Sequence, residues 1–253
     1  YIKAPCHQST RTQGFQLAPN EIKSNYDYEI PMDMFDKSSV DMTTKKIELC
    51  EGYNELYQHI LNYKKSNMDT KIITIGGDNS ISAGTIAGMN EAYMKQYGSV
   101  VFSELMVLWI DAFPDMDNFT TSKNKDLNDM PVASLLGLCG TAFTKNKLLL
   151  NKNQLIYYGL RDDNNLENVM ENDIPFYTVK KINAINEIII ESIKEQIGDR
   201  PLHVVVDLKV FDKTVCPSVI PVNDNGLKIE QVEKLLCTLK SNIVAMDLVE
   251  LNP

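Results

Sequence analysis

A chain of 253 residues that is 43% hydrophobic and 23% charged can bury a sizeable core, which excludes wholesale disorder. Its formal net charge of −9 argues against a nucleic-acid or acidic-membrane partner, because binding to phosphate backbones works through counterion release from clustered Lys and Arg. The lysine pairs at 45–46, 64–65 and 180–181 stand among acids and polar residues and read as solvated helix faces.

Cysteines at 6, 50, 139, 216 and 237 are odd in number, widely spaced and free of any C-x-x-C, a pattern that suits a reducing compartment such as the cytoplasm and apolar packing of the thiols. No apolar run reaches the ~18 residues of a membrane span. The opening "YIKAPCHQST" has no signal-peptide core, and its first residue, Tyr1, implies that the true N-terminus lies elsewhere.

In chain order, apolar spacing of three or four predicts a helix over 43–66, with Ile47, Tyr53, Leu56, Ile60 and Tyr63 on one face. The run "KIITIG" (71–76) predicts a strand and 81–98 a helix; "LMVLWID" (105–111) is a strand and 130–140 a helix. Strands at 154–160, 202–208 and 242–251 alternate with helices at 182–198 and 228–241. The strand runs are near-continuous rather than alternating, as in parallel strands covered on both faces. Nothing in the sequence marks a boundary, so the expectation is one doubly wound α/β domain over 1–253.

Such sheets bind ligands beyond the carboxyl ends of their strands. Polar residues gather there: Asp78 after the first run, Asp111, Asp115 and Asp117 after the second, Arg161 to Asp163 after the third, Asp207 and Lys209 after the fourth, Glu250 after the fifth. A single Asp after a strand is most often a turn or helix cap. Five strand ends feeding one rim point instead to a site.

Ordered segments carry a resemblance to the ureohydrolases, the family of arginase and agmatinase. "GGDNS" (76–80) is similar to G-G-D-H-S, "WIDAFPDMD" (109–117) to W-x-D-A-H-x-D-x-N, and "DLNDMPVASLL" (126–136) to N-L-H-G-Q-P-V-S-x-L-L. "YYGLRDDN" (157–164), "VVVDLKVFD" (204–212) and "AMDLVELNP" (245–253) resemble Y-x-G-L-R-D-x-D, S-x-D-x-D-x-x-D and G-x-D-x-x-E-x-N-P, and "QGFQLAPNEIKS" (13–24) is like an N-terminal family segment. The resemblance leans toward arginase. It implies a three-layer α/β/α sandwich around about eight mostly parallel strands, and a homotrimer or other homo-oligomer. It also implies that a C-terminal tail is missing after "ELNP".

The activity implied is hydrolysis of a guanidinium C–N bond by hydroxide bridging two manganese ions, which lower the pKa of water and stabilise the attacking oxygen. Six positions, two His and four Asp in the family, correspond here to Asn79, Asp111, Phe113, Asp115, Asp207 and Lys209. Three aspartates survive, and both imidazoles and one carboxylate are gone. The half lined by Asn79, Asp111, Asp115 and Asp207 keeps four oxygen-bearing side chains. The half lined by Phe113 and Lys209 is closed to a metal, since a ring donates nothing and an ammonium repels a divalent ion.

Lys209 is expected to act as an internal cation paired with Asp111 and Asp207. The remaining negative charge then takes either one hard divalent ion (Mn, Mg or Ca) or a proton on one carboxylate, with no bound metal the favoured outcome. By the same resemblance, Asn128 stands at the proton-shuttle position and does not titrate. Asn164, Asp162, Asp117 and Asn124 stand at positions for the amino-acid end of the substrate, and Glu250 at the guanidinium-binding position. Of the histidines, His59 and His203 lie away from the rim, and His7 falls in an N-terminal loop.

The expected function is a non-catalytic arginase-family protein with a binding or structural role. One alternative is a single-metal hydrolase of a guanidino or amide bond. The other is a structural or regulatory subunit of an active paralogue.

Overall fold

The computed structural model describes residues 1–6, 14–22, 25–35, 39–41, 46–48, 51–96, 98, 103–123, 125–139, 150–162, 166–221 and 224–252. Its strands are β1 (Ile2–Ala4), β2 (Tyr28–Glu29), β3 (Ser39–Asp41), β4 (Lys46–Glu48), β5 (Ile72–Gly76), β6 (Met106–Ile110), β7 (Leu155–Leu160), β8 (Phe176–Thr178), β9 (Leu202–Asp207) and β10 (Ile243–Val249). The helices are α1 (Ala18–Ile22), α2 (Glu51–Lys64), α3 (Ser82–Gln96), α4 (Pro131–Leu135), α5 (Glu167–Glu171), α6 (Val179–Ile197) and α7 (Ile229–Leu239).

Eight strands form one parallel sheet in the order β2-β1-β5-β10-β9-β6-β7-β8. The near-continuous apolar runs are explained by burial on both faces. Val107 and Trp109 of β6 join Leu56 and Ile60 of α2 and Ile86 and Met89 of α3 in one core cluster. Met106, Leu108 and Ile110 join Ile189 and Ile193 of α6 and Leu235 of α7 in the other. Each Ile or Leu buried in this way contributes about 1.5–3 kcal/mol. The expected sandwich of helix, sheet and helix is therefore present.

The connection from β5 through α3 to β6 passes over β10 and β9, so the ends of β5, β10, β9 and β6 lie side by side. That crossover opens a crevice where the sequence concentrates polar residues. The crevice floor demands glycine: a Cβ on Gly77 would sit 1.8 Å from the Cys6 carbonyl oxygen, where the end of β1 presses against the β5 turn. A similar constraint lets α3 pack on α2, since a Cβ on Gly84 would lie 2.5 Å from the Tyr53 carbonyl oxygen.

Several boundaries differ from those predicted. The helix over 43–66 begins only at Glu51, because Lys46–Glu48, Ile47 included, pairs antiparallel with Ser39–Asp41. The helix over 130–140 is the five-residue α4, and Gly137 at φ 74 has already left the helical region. α6 starts three residues early, at Val179. Lys64 is not solvated: it is 1% exposed, and its ammonium donates to the carbonyls of Met68 (2.9 Å) and Thr70 (2.5 Å), closing the end of α2. Cys6 and Cys139 are buried, Cys216 is half-buried, Cys237 is exposed, and Cys50 lies outside the described residues. No described helix is long and apolar enough to cross a membrane.

Candidate metal centre

Strand parity aims the site. Val107 and Trp109 face the α2–α3 layer, so Asp111, two residues further, continues that row, and Val205 leads to Asp207 in the same way. Trp109 Nε1 holds Asp111 Oδ2 at 3.2 Å, while the Phe113 N–H donates to Oδ1 at 3.0 Å. Asp207 Oδ1 accepts the Lys209 N–H at 2.7 Å, a tight turn that returns the lysine to the strand end. Asp115 and Glu250 adopt left-handed backbone, at φ 48 and 67, which redirects both carboxylates out of the regular alternation. The Asp115 carbonyl accepts the Val132 N–H at 3.1 Å and so ties this turn to the start of α4.

These turns converge. Carboxylate oxygens of Asp111, Asp115 and Asp207 lie within 4.8 Å of one another. Asn79 Nδ2 donates to Asp115 Oδ2 at 2.7 Å and to Asp207 Oδ2 at 3.3 Å. Lys209 Nζ lies 3.4 Å from Asp207 Oδ2, 3.5 Å from Glu250 Oε1 and 5.7 Å from the centroid of the Phe113 ring. Glu250 Oε1 also accepts the Asn79 N–H at 3.0 Å, and the Glu250 N–H donates to the Gly77 carbonyl at 2.7 Å. All of these charged groups are buried, and the Phe113 ring is half-buried.

Burial and the neighbouring Asp111 push the carboxyls of Asp115 and Asp207 well above the usual range, with Lys209 opposing. Glu250 is raised to about 7, by burial first, against the pull of Lys209. Burial disfavours the Lys209 ammonium, yet Asp207, Glu250, Asp111 and Asp115 outweigh it and hold its pKa well above normal. The lysine stays charged, and the surplus carboxylates titrate as one coupled set that takes up protons.

A pair of divalent ions does not fit these residues. The second position is occupied in charge by an ammonium at ion-pair distance from Asp207 and Glu250, and Phe113 brings carbon where a donor nitrogen is needed. A single hard cation is a different matter. The three aspartate carboxylates are close enough to share one, and Asn79 Oδ1 is buried with no hydrogen-bond partner.

Lys209 lies at ion-pair distance from Asp207 and Glu250, whereas the sequence pairs it with Asp207 and Asp111 and reserves Glu250 for an external guanidinium. Asn128 sits in the 127–129 turn, with Oδ1 buried and unpartnered. Asp117 lines a hollow of about 120 Å³ with Phe113, Asp115 and Asp129, and its Oδ1 accepts the Thr121 hydroxyl at 2.7 Å. Asp162 lies outside that hollow, beyond β7 in a separate cavity.

Asn124, Asn164 and His7 fall outside the described residues. His59 stacks on Tyr28 with centroids 3.5 Å apart. His203 is fully buried against Asp247 at 3.0 Å, both away from the cluster as expected. Sequence reasoning passed over Asp129. Its carboxyl is raised by burial and lies within the field of Lys209, and its only sequence signal was adjacency to Asn128.

The arginase family model matches residues 2–253. The chain belongs to the arginase family. It is 31% identical over 194 residues to the arginase of Neurospora crassa, covering 72% of this chain and 53% of that protein. It is 29% identical over 203 residues to the arginase of Coccidioides posadasii, covering 76% and 62%. The chain thus spans about half to three-fifths of the length of these curated arginases.

Among solved structures, an Entamoeba histolytica arginase in complex with L-ornithine superposes with TM-score 0.80 at 20% identity, covering all of this chain and 90% of that one. A formimidoylglutamase from Bacillus subtilis gives 0.75 at 20%, covering 78% of its own length. Likeness at this identity supports the arginase fold, with its eight-stranded parallel sheet.

Proposed function

We propose that this arginase-family chain does not release urea and acts through binding or assembly. The observation that carries the reading is the Lys209 ammonium, 3.4 Å from Asp207 and 3.5 Å from Glu250. One internal cation takes up carboxylates that the family resemblance assigns to a metal ion and to a guanidinium. Arginine or agmatine would have to displace a buried, paired ammonium to reach Glu250, and breaking such a pair costs about 3–5 kcal/mol. The absence of a titrating group at Asn128 supports the same reading.

The test is a urea assay with L-arginine and with agmatine in added Mn²⁺, run beside metal analysis of the purified chain. No urea above the blank is expected. Mn²⁺-dependent urea release that disappears in Asp207→Ala overturns the reading.

One observation favours a second reading, a hydrolase of a linear amidine or amide that uses one divalent ion. It is the Asp111, Asp115 and Asp207 triad with the unpartnered Asn79 Oδ1 beside it. That reading requires about one equivalent of metal, lost in Asp115→Ala. A homotrimer, or mixed assembly with an active paralogue, is a further part of the proposal, and light scattering and co-purification test it.

A further inference from the structure

α3 begins at the crevice and ends about 22 Å away along its own axis. At that far end a cavity of about 360 Å³ opens between the last turns of α2 and α3. Leu61, Met68 and Ala92 give it apolar walls, and Lys64, Lys65 and Lys95 line it as well. Among the described residues, none that lines it carries a carboxylate.

Lys64 is the unusual member of this lining. It is 1% exposed, and its ammonium meets only neutral groups at close range: the carbonyls of Met68 and Thr70, with the Tyr93 ring centroid 5.9 Å away. No carboxylate of the described residues lies at ion-pair distance from it. A buried charge is ordinarily met by an opposite one. Burial lowers the Lys64 pKa to about 8, against the pull of the exposed Asp69, as befits an ammonium short of a counter-ion. Lys65 and Lys95 are exposed. Lys65 donates to Asn62 Oδ1 at 2.8 Å, again a neutral partner, while Lys95 pairs with Glu91, which also accepts the Tyr57 hydroxyl.

We propose that this cavity binds a small aliphatic monocarboxylate, with its head among the three lysines and its chain against Leu61, Met68 and Ala92. Three ammoniums are opposed by Glu91 and by the C-terminal ends of α2 and α3, each of which adds about half a negative charge. The balance is about one positive charge, which a carboxylate neutralises. A phosphate monoester, at about −1.5 to −2, exceeds it. Charge-assisted hydrogen bonds from the ammoniums fix the head, and apolar walls with a few polar groups are the usual make-up of a small-ligand pocket. No residue of the crevice lines this cavity, so the site stands or falls separately from the loss of urea release.

Calorimetric titration of the full chain with hexanoate at low ionic strength tests the assignment, with 1-hexanol, acetate and hexyl phosphate as the other arms. Saturable one-to-one hexanoate binding is expected, at least tenfold tighter than that of hexanol, which lacks the charge, or of acetate, which lacks the chain. Hexyl phosphate should bind no more tightly than hexanoate. Hexanoate binding should weaken at least tenfold in Lys64→Met and at least threefold in Lys65→Gln and in Lys95→Gln. Lys181→Gln, on the exposed side of α6, should leave it unchanged. Lys65 and Lys95 are exposed, so their variants decide the matter if Lys64→Met fails to fold. The proposal is overturned by no saturable hexanoate binding, by hexanol or hexyl phosphate binding more tightly than hexanoate, or by parental affinity in both Lys65→Gln and Lys95→Gln.

Discussion

Lys209 Nζ lies 3.5 Å from Glu250 Oε1, and the same Glu250 oxygen accepts the backbone N–H of Asn79 at 3.0 Å. Three strand ends, those of β5, β9 and β10, are thereby joined through Glu250 and the buried Lys209. Removing its charge should be costly. Lys209→Met leaves Asp207 and Glu250 buried without their cation, and a loss of about 3–5 kcal/mol is expected by urea denaturation. Adding Asp207→Asn to Lys209→Met should recover part of that loss, because one of the stranded carboxylates is then neutral.

Restoring the donor set should create metal affinity. The combined variant Asn79→His, Phe113→His and Lys209→Asp is expected to bind Mn²⁺ at least tenfold more tightly than the parent by calorimetry. A well-folded variant with no gain would show that the site is misplaced. Urea release is not expected to follow, since Asn128 and Asp117 remain.

Close backbone approach makes Gly77 irreplaceable. Its added Cβ would lie 1.8 Å from the Cys6 carbonyl oxygen, and the neighbouring atoms, all backbone of Cys6, include no flexible group to yield. Gly77→Ala is expected to lose at least about 3 kcal/mol, or to give no soluble protein, at the upper end of overpacking costs.

Acid should loosen the α2–α3 pair. Burial alone would raise the Glu91 carboxyl, but hydrogen bonds from Lys95 and Tyr57 outweigh it and hold the group below its ordinary value of 4.5. A lowered carboxyl contributes stability that is present above the unfolded value and is lost as pH falls through the folded one. The urea midpoint should therefore fall less steeply between about pH 6 and 3.5 in Glu91→Gln than in the parent. Parallel curves for the two proteins would refute this.

Much of the architecture was legible because five central strands carry unbroken apolar runs. Their predicted limits fall within two residues of β5, β6, β7, β9 and β10. β1, β2 and β8 are two or three residues long, too short to show a period, and exist through pairing with longer neighbours. β4 falls inside the predicted helix because its residues extend a genuine helical spacing by one apolar position, Ile47.

At the site, the aspartates were legible as turns after strands. The Glu250 partnership was not, because it depends on a left-handed backbone at φ 67 that residue spacing does not encode.

The lysine in the crevice also works as a ratchet on descent. Lys209→Asp taken alone would swap a buried cation for a further anion among Asp111, Asp115, Asp207 and Glu250, while Asn79 and Phe113 still lacked the nitrogens to recruit a metal. That single step back passes through a less stable protein. A lineage that has adopted this ammonium therefore meets a stability cost in the electrostatics of its own interior at the first step back to a carboxylate there.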